Sequence, residues 1–176
     1  VIGGQEVVVV DEPGVVYRSA DGGVTWTAGA STPPFFDAED IHFTSLLDGW
    51  IAGFASSALY HTNDGGDSWT AASGPAGAYV AIDFEGANGW AANVSGLYYR
   101  TVDGGTTWIE EGELPGAINV TDMDFFDPSI GYAVGRWGYA ARSDDGGVTW
   151  QVLETPNSDD MLTGIHLLGP DELWVS

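Results

Sequence analysis

The chain contains no cysteine and no lysine. Without cysteine there is no disulfide framework, no thiol nucleophile and no cysteine-based metal cluster, and the redox compartment leaves no mark. The only cations besides histidine are Arg18, Arg100, Arg136 and Arg142, set against 26 acidic residues for a net charge of −22. So large a negative charge repels nucleic acid and anionic membrane surfaces, which excludes both as direct partners. The acids are scattered rather than massed in a tail. They read as a solvated surface, or as adaptation to a salty or extracellular medium, rather than as a calcium site. Also missing are an 18-residue apolar run that could span a membrane, a signal peptide, and any capped stretch of helical period. A chain opening at Val1 reads as a mature product or an excised piece.

What is abundant is punctuation: 26 glycines, 8 prolines and 8 tryptophans among 176 residues. Four segments align, Ser19-Ala-Asp-Gly-Gly-Val-Thr-Trp26, Thr62-Asn-Asp-Gly-Gly-Asp-Ser-Trp69, Thr101-Val-Asp-Gly-Gly-Thr-Thr-Trp108 and Ser143-Asp-Asp-Gly-Gly-Val-Thr-Trp150. Their tryptophans are spaced by 43, 39 and 42 residues, a period that suits one four-stranded propeller blade. Between the boxes lies a second motif, a short strand, a turn and a strand opening on an aromatic. It occurs as Ile41–Gly53, Ile82–Asn93, Met123–Gly135 and Ile165–Ser176. Asp48-Gly49 and Asn88-Gly89 inside it are expected to be hairpin turns with positive φ.

These patterns predict an all-β propeller of four-stranded antiparallel blades, about four blade-equivalents in a single module over 1–176. The blades are expected at about 1–31, 32–74, 75–114 and 115–156, with 157–176 starting or closing another. In the second repeat the strands A to D are expected at 40–44, 50–54, 58–62 and 68–71. Val7 is expected at the register of Trp50, because each lies 14 residues before its box aspartate. The chain would then open after strand A of its first blade. Trp174 also aligns with Trp50, so the last segment either closes a four-bladed ring or begins a further blade of a six- to eight-bladed one. The second alternative fits better, since four-bladed rings are uncommon. Open blade edges point to self-association or to completion by further chain.

Each box has a mechanical reading. Asp21, Asp64, Asp103 and Asp145 accept amide hydrogen bonds within their own turns, the glycines take conformations barred to other residues, and Trp26, Trp69, Trp108 and Trp150 bury rings between sheets. The boxes resemble the bacterial neuraminidase repeat of sialidases, xyloglucan-cleaving glycosidases and sortilins. Combined with the Phe-x-x-x-x-x-Gly-Trp strand pair, they most resemble the photosystem II stability and assembly factor family. That resemblance implies a non-catalytic lumenal or periplasmic propeller without a cofactor.

A sialidase needs three convergent arginines. Arg18, Arg100 and Arg142 instead share one column with His61, three residues before each box aspartate, which places them toward the wrong face. Paired carboxylates for a glycosidase would come from Asp37, Glu39, Glu110, Glu111, Asp159 and Asp160, which read more simply as solvated loop acids. His42, Asp83, Asp124 and His166 occupy the middle of each strand A. They form a candidate metal ring, against the plainer reading of hydrogen bonds to neighbouring blades. Residues that break the repeat, Phe35, Phe36, Tyr79, Arg136 and Trp137, are the candidate binding residues on the face of the D-to-A and B-to-C loops. The expected role is interaction or scaffolding with a protein partner or an extended polymer such as a glycan. The alternative is a carbohydrate-active domain. Asn93-Val-Ser95 and Asn119-Val-Thr121 fit glycosylation sequons.

Overall fold

A computed structural model describes residues 5–11, 15–31, 37–54, 59–72, 77–116, 119–155 and 160–176. Among them there is no helix, and none therefore that is long and apolar enough to cross a membrane. Two compact units divide the chain after Ala78.

The first unit holds two sheets. Strands β1 (Val7–Val10), β2 (Val15–Ser19) and β3 (Thr27–Ser31) form one, in that order. Strands β4 (Asp37–Phe43), β5 (Gly49–Phe54), β6 (Leu59–Thr62) and β7 (Thr70–Ala71) form a four-stranded meander. The second unit holds two more meanders. One consists of β8 (Tyr79–Glu85), β9 (Asn88–Asn93), β10 (Leu97–Thr101) and β11 (Ile109–Glu113). The other consists of β12 (Val120–Phe125), β13 (Gly131–Gly135), β14 (Ala140–Ser143) and β15 (Gln151–Val152). The hairpin β16 (Ile165–Gly169) and β17 (Glu172–Val175) comes last. All pairings are antiparallel and sequential, so each four-stranded sheet is a propeller blade with strands A to D from the inside out.

Packing between blades supplies the core. In the first unit Val16 of β2, Ile51 and Tyr60 cluster with Val8, Ile41 and Trp69. In the second, Trp90 of strand B lies flat on Phe125 of the following blade, with ring centroids 3.6 Å apart and an interplanar angle of 5°. Its Nε1–H donates to the Gly146 carbonyl of that blade's box at 2.8 Å, and the Tyr98 hydroxyl donates to the Gly147 carbonyl at 2.7 Å. The next interface joins Tyr132, Val134 and Ala140 to Ile165 and Leu167 of β16.

The phenylalanine–glycine pair in the second motif has a steric cause. Phe43, Phe84 and Phe125 pair across the A–B hairpin with Gly49, Gly89 and Gly131. A Cβ on those glycines would come within 2.6, 2.4 and 2.4 Å of the facing ring. The ring lies over bare backbone, and no larger residue fits. This corrects the hairpin expectation. Asp48-Gly49 and Asn88-Gly89 open strand B, and neither pair has positive φ; in the third repeat the turn centre is Gly86-Ala87, with Gly86 at φ 65.

Register corrects a second expectation. Trp50, Trp90 and Tyr132 pair with His61, Arg100 and Arg142, and the residue that pairs with Arg18 is Val8 rather than Val7. The second repeat carries one extra residue in its B–C connection, so its 14-residue spacing is not general. A one-residue slip matters because it exchanges the two faces of a strand. Strand A also bulges at one equivalent place in each complete blade, between Ala38 and Asp40, Tyr79 and Ala81, and Val120 and Asp122.

Because Trp90 is 1% exposed and its indole N–H is satisfied only by the next blade, Trp90→Ala should cost about 3–5 kcal/mol in chemical denaturation. Trp174→Ala, at a 70% exposed position of the same register, should change stability by no more than about 0.5 kcal/mol.

Candidate functional site

The four box aspartates act within their own turns. In the second box Asp64 Oδ1 accepts the Thr62 hydroxyl at 2.8 Å and the Ser68 amide at 2.9 Å, while Oδ2 accepts the Ser68 hydroxyl at 2.6 Å. The Thr62 hydroxyl also accepts the Gly66 amide at 2.7 Å. Asp21, Asp103 and Asp145 repeat this pattern with Ser19 and Thr25, Thr101 and Thr107, and Ser143 and Thr149. Paired glycines at φ between 68 and 92 make the turn possible. The first glycine amide of each box donates to the A–B turn, as Gly65 does to the Leu47 carbonyl and Gly146 to the Ser129 carbonyl, both at 2.7 Å. Hydrogen bonds to the ionised form hold Asp21 down at about 2, led by the Thr25 hydroxyl, and hold Asp64, Asp103 and Asp145 low as well.

The strand-A column links one blade to the next. Asp83 Oδ2 accepts the Phe125 amide at 2.7 Å, and Asp124 Oδ2 accepts the Leu167 amide at 2.7 Å. Asp122 adds a third such link to the Ile165 amide at 2.8 Å. Burial raises the Asp124 carboxyl above its ordinary value, with the Leu167 amide opposing and the Asp83 charge adding. His166 Nδ1 lies 3.4 Å from Asp124. Among the described residues no group of three acidic or histidine side chains could hold a metal ion, and Asp83 and Asp124 are each directed at an amide. His42 shares their register and has an interaction partner of its own.

The arginine column is engaged too. Arg18 pairs with Asp67 at 2.8 Å and Arg100 with Glu111 at 2.9 Å; Arg142 contacts Asp144, Asp171 and the Tyr132 hydroxyl, lying over the Tyr132 ring. His61 stacks on Trp50 and faces Asp48. These cations belong to sheet and blade contacts. The candidate glycosidase acids are placed by the sheets as well. Asp37 and Glu39 lie on β4 and Glu110 and Glu111 on β11 rather than in loops, and Glu110 accepts the Tyr99 hydroxyl at 3.0 Å. The Asp160 carbonyl accepts the Gly138 amide, and Asp159 lies outside the described residues.

The binding candidates part company. Phe35 and Phe36 lie outside the described residues. Tyr79 is a correction: its side chain is fully buried, 5.5 Å from the Tyr99 ring, and burial pushes its hydroxyl pKa up. The bulge just after it turns the ring into the sheet. Arg136 and Trp137 are exposed at the B–C connection of their blade. The Tyr139 amide donates to the Arg136 carbonyl, and Trp137 and Gly138 have φ of 60 and 63, which defines a two-residue turn of the type that favours asparagine followed by glycine. Trp137 is 60% exposed there. A pocket of about 400 Å³ lies beside it, lined by Gly116, Arg136, Trp137, Tyr139, Glu154 and Thr155 among others. Tyr139 is buried with its hydroxyl unpaired, and burial raises its pKa to about 12. Composition could have singled out Trp137, but not the left-handed backbone under it.

Residues 36–117 match the family described as photosynthesis system II assembly factor YCF48. No curated protein matches the chain in sequence. A solved structure of YCF48 bound to a D1 peptide aligns at 17% identity and a TM-score of 0.53, covering 97% of this chain and 86% of that one. YCF48 from Cyanidioschyzon merolae aligns at 17% identity and 0.59, covering 97% and 76%. An ancestral GH74 enzyme aligns at 18% identity and 0.67, covering 87% of this chain but 23% of its own.

The depressed box aspartates set the direction of an acid effect. A carboxylate whose folded pKa lies below its unfolded value stabilises the fold fully above about pH 4, and that contribution disappears as the pH falls through the folded value. For Asp21 the loss extends down to about 2. The melting-temperature difference between wild type and Asp21→Asn should therefore be largest at neutral pH and shrink steadily below about pH 4. The comparison with the variant cancels the general relief of repulsion among the other acids.

The chain is an Asp-box β-propeller, and its residues 36–117 are similar to the photosystem II assembly factor family.

Proposed function

We propose that the chain is a non-catalytic propeller module, secreted or periplasmic, that holds an extended polypeptide partner on the face carrying Arg136 and Trp137. One propeller module over 1–176, with the blade limits given by the repeat, is part of this reading. The observation that carries it is the backbone under Trp137. A bulky residue in the left-handed region costs roughly 1–3 kcal/mol, and a glycine or asparagine would make the same turn without it. An aromatic held there in solvent gains nothing for the blade, so its use lies in contact with something else. Aromatic and arginine side chains are the types that dominate binding energy at interfaces. Arg136 is suited to the task because it makes no ion pair with a described carboxylate, whereas Arg18, Arg100 and Arg142 all do.

A peptide is the favoured class because a structural relative is described as bound to one, the D1 peptide.

Panning a displayed peptide library on the purified chain should yield binders whose affinity falls at least about tenfold in Arg136→Ala/Trp137→Ala, read by fluorescence titration. Trp137→Gly should abolish binding while raising stability by about 1 kcal/mol, because it removes the strain. Selective binding or cleavage on an oligosaccharide panel, with no peptide recovered, would instead establish the carbohydrate-active reading.

A further inference from the structure

The cavity of about 400 Å³ beside Trp137 is walled by two complete blades. Gly116 comes from the chain just after the blade β8–β11, and Arg136, Trp137, Tyr139, Glu154 and Thr155 come from the blade β12–β15 and the chain that leaves it. Backbone hydrogen bonds hold these walls in place. The Arg136 amide donates to the Asn119 carbonyl at 3.1 Å, and the Gly138 amide to the Asp160 carbonyl at 2.7 Å. The Thr155 hydroxyl donates to the Gly138 carbonyl at 2.8 Å. The B–C turn is thereby pinned to the chain entering strand A and to the chain leaving strand D. Its shape is formed before any ligand arrives, which lowers the cost of binding one.

Several groups around this cavity are left unused by the fold. Tyr139 is 7% exposed, yet its hydroxyl has no hydrogen-bond partner, a state that penalises the protein until something supplies one. Trp137 keeps its ring in solvent at the rim. Arg136 and Glu154 line the same cavity and are both exposed. Neither pairs with the other, nor with any other described residue through its side chain. An unpaired acid is ordinary in a chain with 26 acids and four arginines. An unpaired arginine is not, because Arg18, Arg100 and Arg142 each hold a carboxylate. The cavity therefore keeps one charge of each sign apart, beside an open indole and an unsatisfied phenol.

We infer that this cavity takes a basic side chain of the bound peptide, with an acidic residue of the same peptide beside it. The inference rests on the peptide-binding reading above and names what that peptide must carry. The stem of a lysine or arginine lies along the Trp137 ring, whose face attracts a cation, and its head meets the Glu154 carboxylate. The adjacent acid meets the Arg136 guanidinium, whose planar fork matches a carboxylate. The Tyr139 hydroxyl donates to a peptide carbonyl. A net charge of −22 repels a peptide that carries acids alone and draws in one that includes a basic residue.

Panned peptides test this. Sequences recovered on the wild-type chain should carry Lys or Arg close to an Asp or Glu. In a synthesised binder, replacing the basic residue by methionine should weaken binding at least about tenfold in fluorescence titration, and Glu154→Gln in the protein should cost about the same factor. Applied together, the two changes should cost no more than either alone, because both remove one pair. The melting temperature of Glu154→Gln should equal that of wild type, since the side chain bonds to no described residue. Peptides that bind through Trp137 without a basic residue overturn the inference and leave the peptide reading standing. So does a Glu154→Gln variant that binds as tightly as wild type, and so do losses that simply add. A library that yields no peptide overturns both, as does capture of oligosaccharides alone.

Discussion

A single carboxylate inside a six-residue turn organises each blade. Asp145 accepts the Ser143 hydroxyl, the Thr149 amide and the Thr149 hydroxyl, which leaves the outward groups of its turn free for longer-range contacts. The Gly146 amide reaches back to the Ser129 carbonyl of the same blade, and the Gly146 and Gly147 carbonyls receive Trp90 and Tyr98 of the preceding one. Each neutral hydrogen bond contributes only about 1 kcal/mol net, but leaving a buried partner unmade costs more. The box therefore fixes the shape of a turn whose backbone would otherwise lack any reason to present two carbonyls to a neighbouring indole and phenol. Stacking of Trp90 on Phe125 and the hydrogen bond to Gly146 are then geometrically coupled.

Aspartate serves this fold in two opposite electrostatic settings. In the boxes it lies at the surface, surrounded by donors, and its charged form is favoured. In strand A, Asp124 lies between blades, where burial disfavours the charge even though the Leu167 amide opposes that effect. The same distinction accounts for the arginines. With 26 acids and four arginines, cations are scarce, and three of them are engaged in contacts within or between sheets. Surface pairs of this kind contribute little individually. Their effect is to occupy the charges that a convergent anion site would need.

Much of this is legible in the sequence alone. The box spacing gives the blade period, and the aspartate–hydroxyl pattern gives the turn chemistry, because both depend on local sequence. What the sequence conceals is register and neighbour identity. Val7 and Val8 are equally plausible partners for the first strand C, and only the 13-residue spacing shared by the third and fourth repeats, once their pairing is seen, selects Val8. The Asn-Gly and Asp-Gly pairs look like turns, yet the glycine is there for the phenylalanine ring across the hairpin. Tyr79 breaks the repeat and so resembles a binding residue, but a bulge after it turns the ring inward. Strand-A bulges have no sequence signature here, and they decide which side chains face the core.

The departures from the repeat consequently fall into two kinds. Tyr79 departs in identity from Ala38 and Val120, its counterparts at the strand-A bulge, but its ring is buried beside that of Tyr99, which accounts for it within its own blade. Trp137 departs against the backbone's preference and remains in solvent, so nothing within its blade explains it. Residues that obey the repeat are accounted for by blade construction, which many unrelated activities share. A residue that works against its own backbone is the more informative signal, because stability alone would remove it.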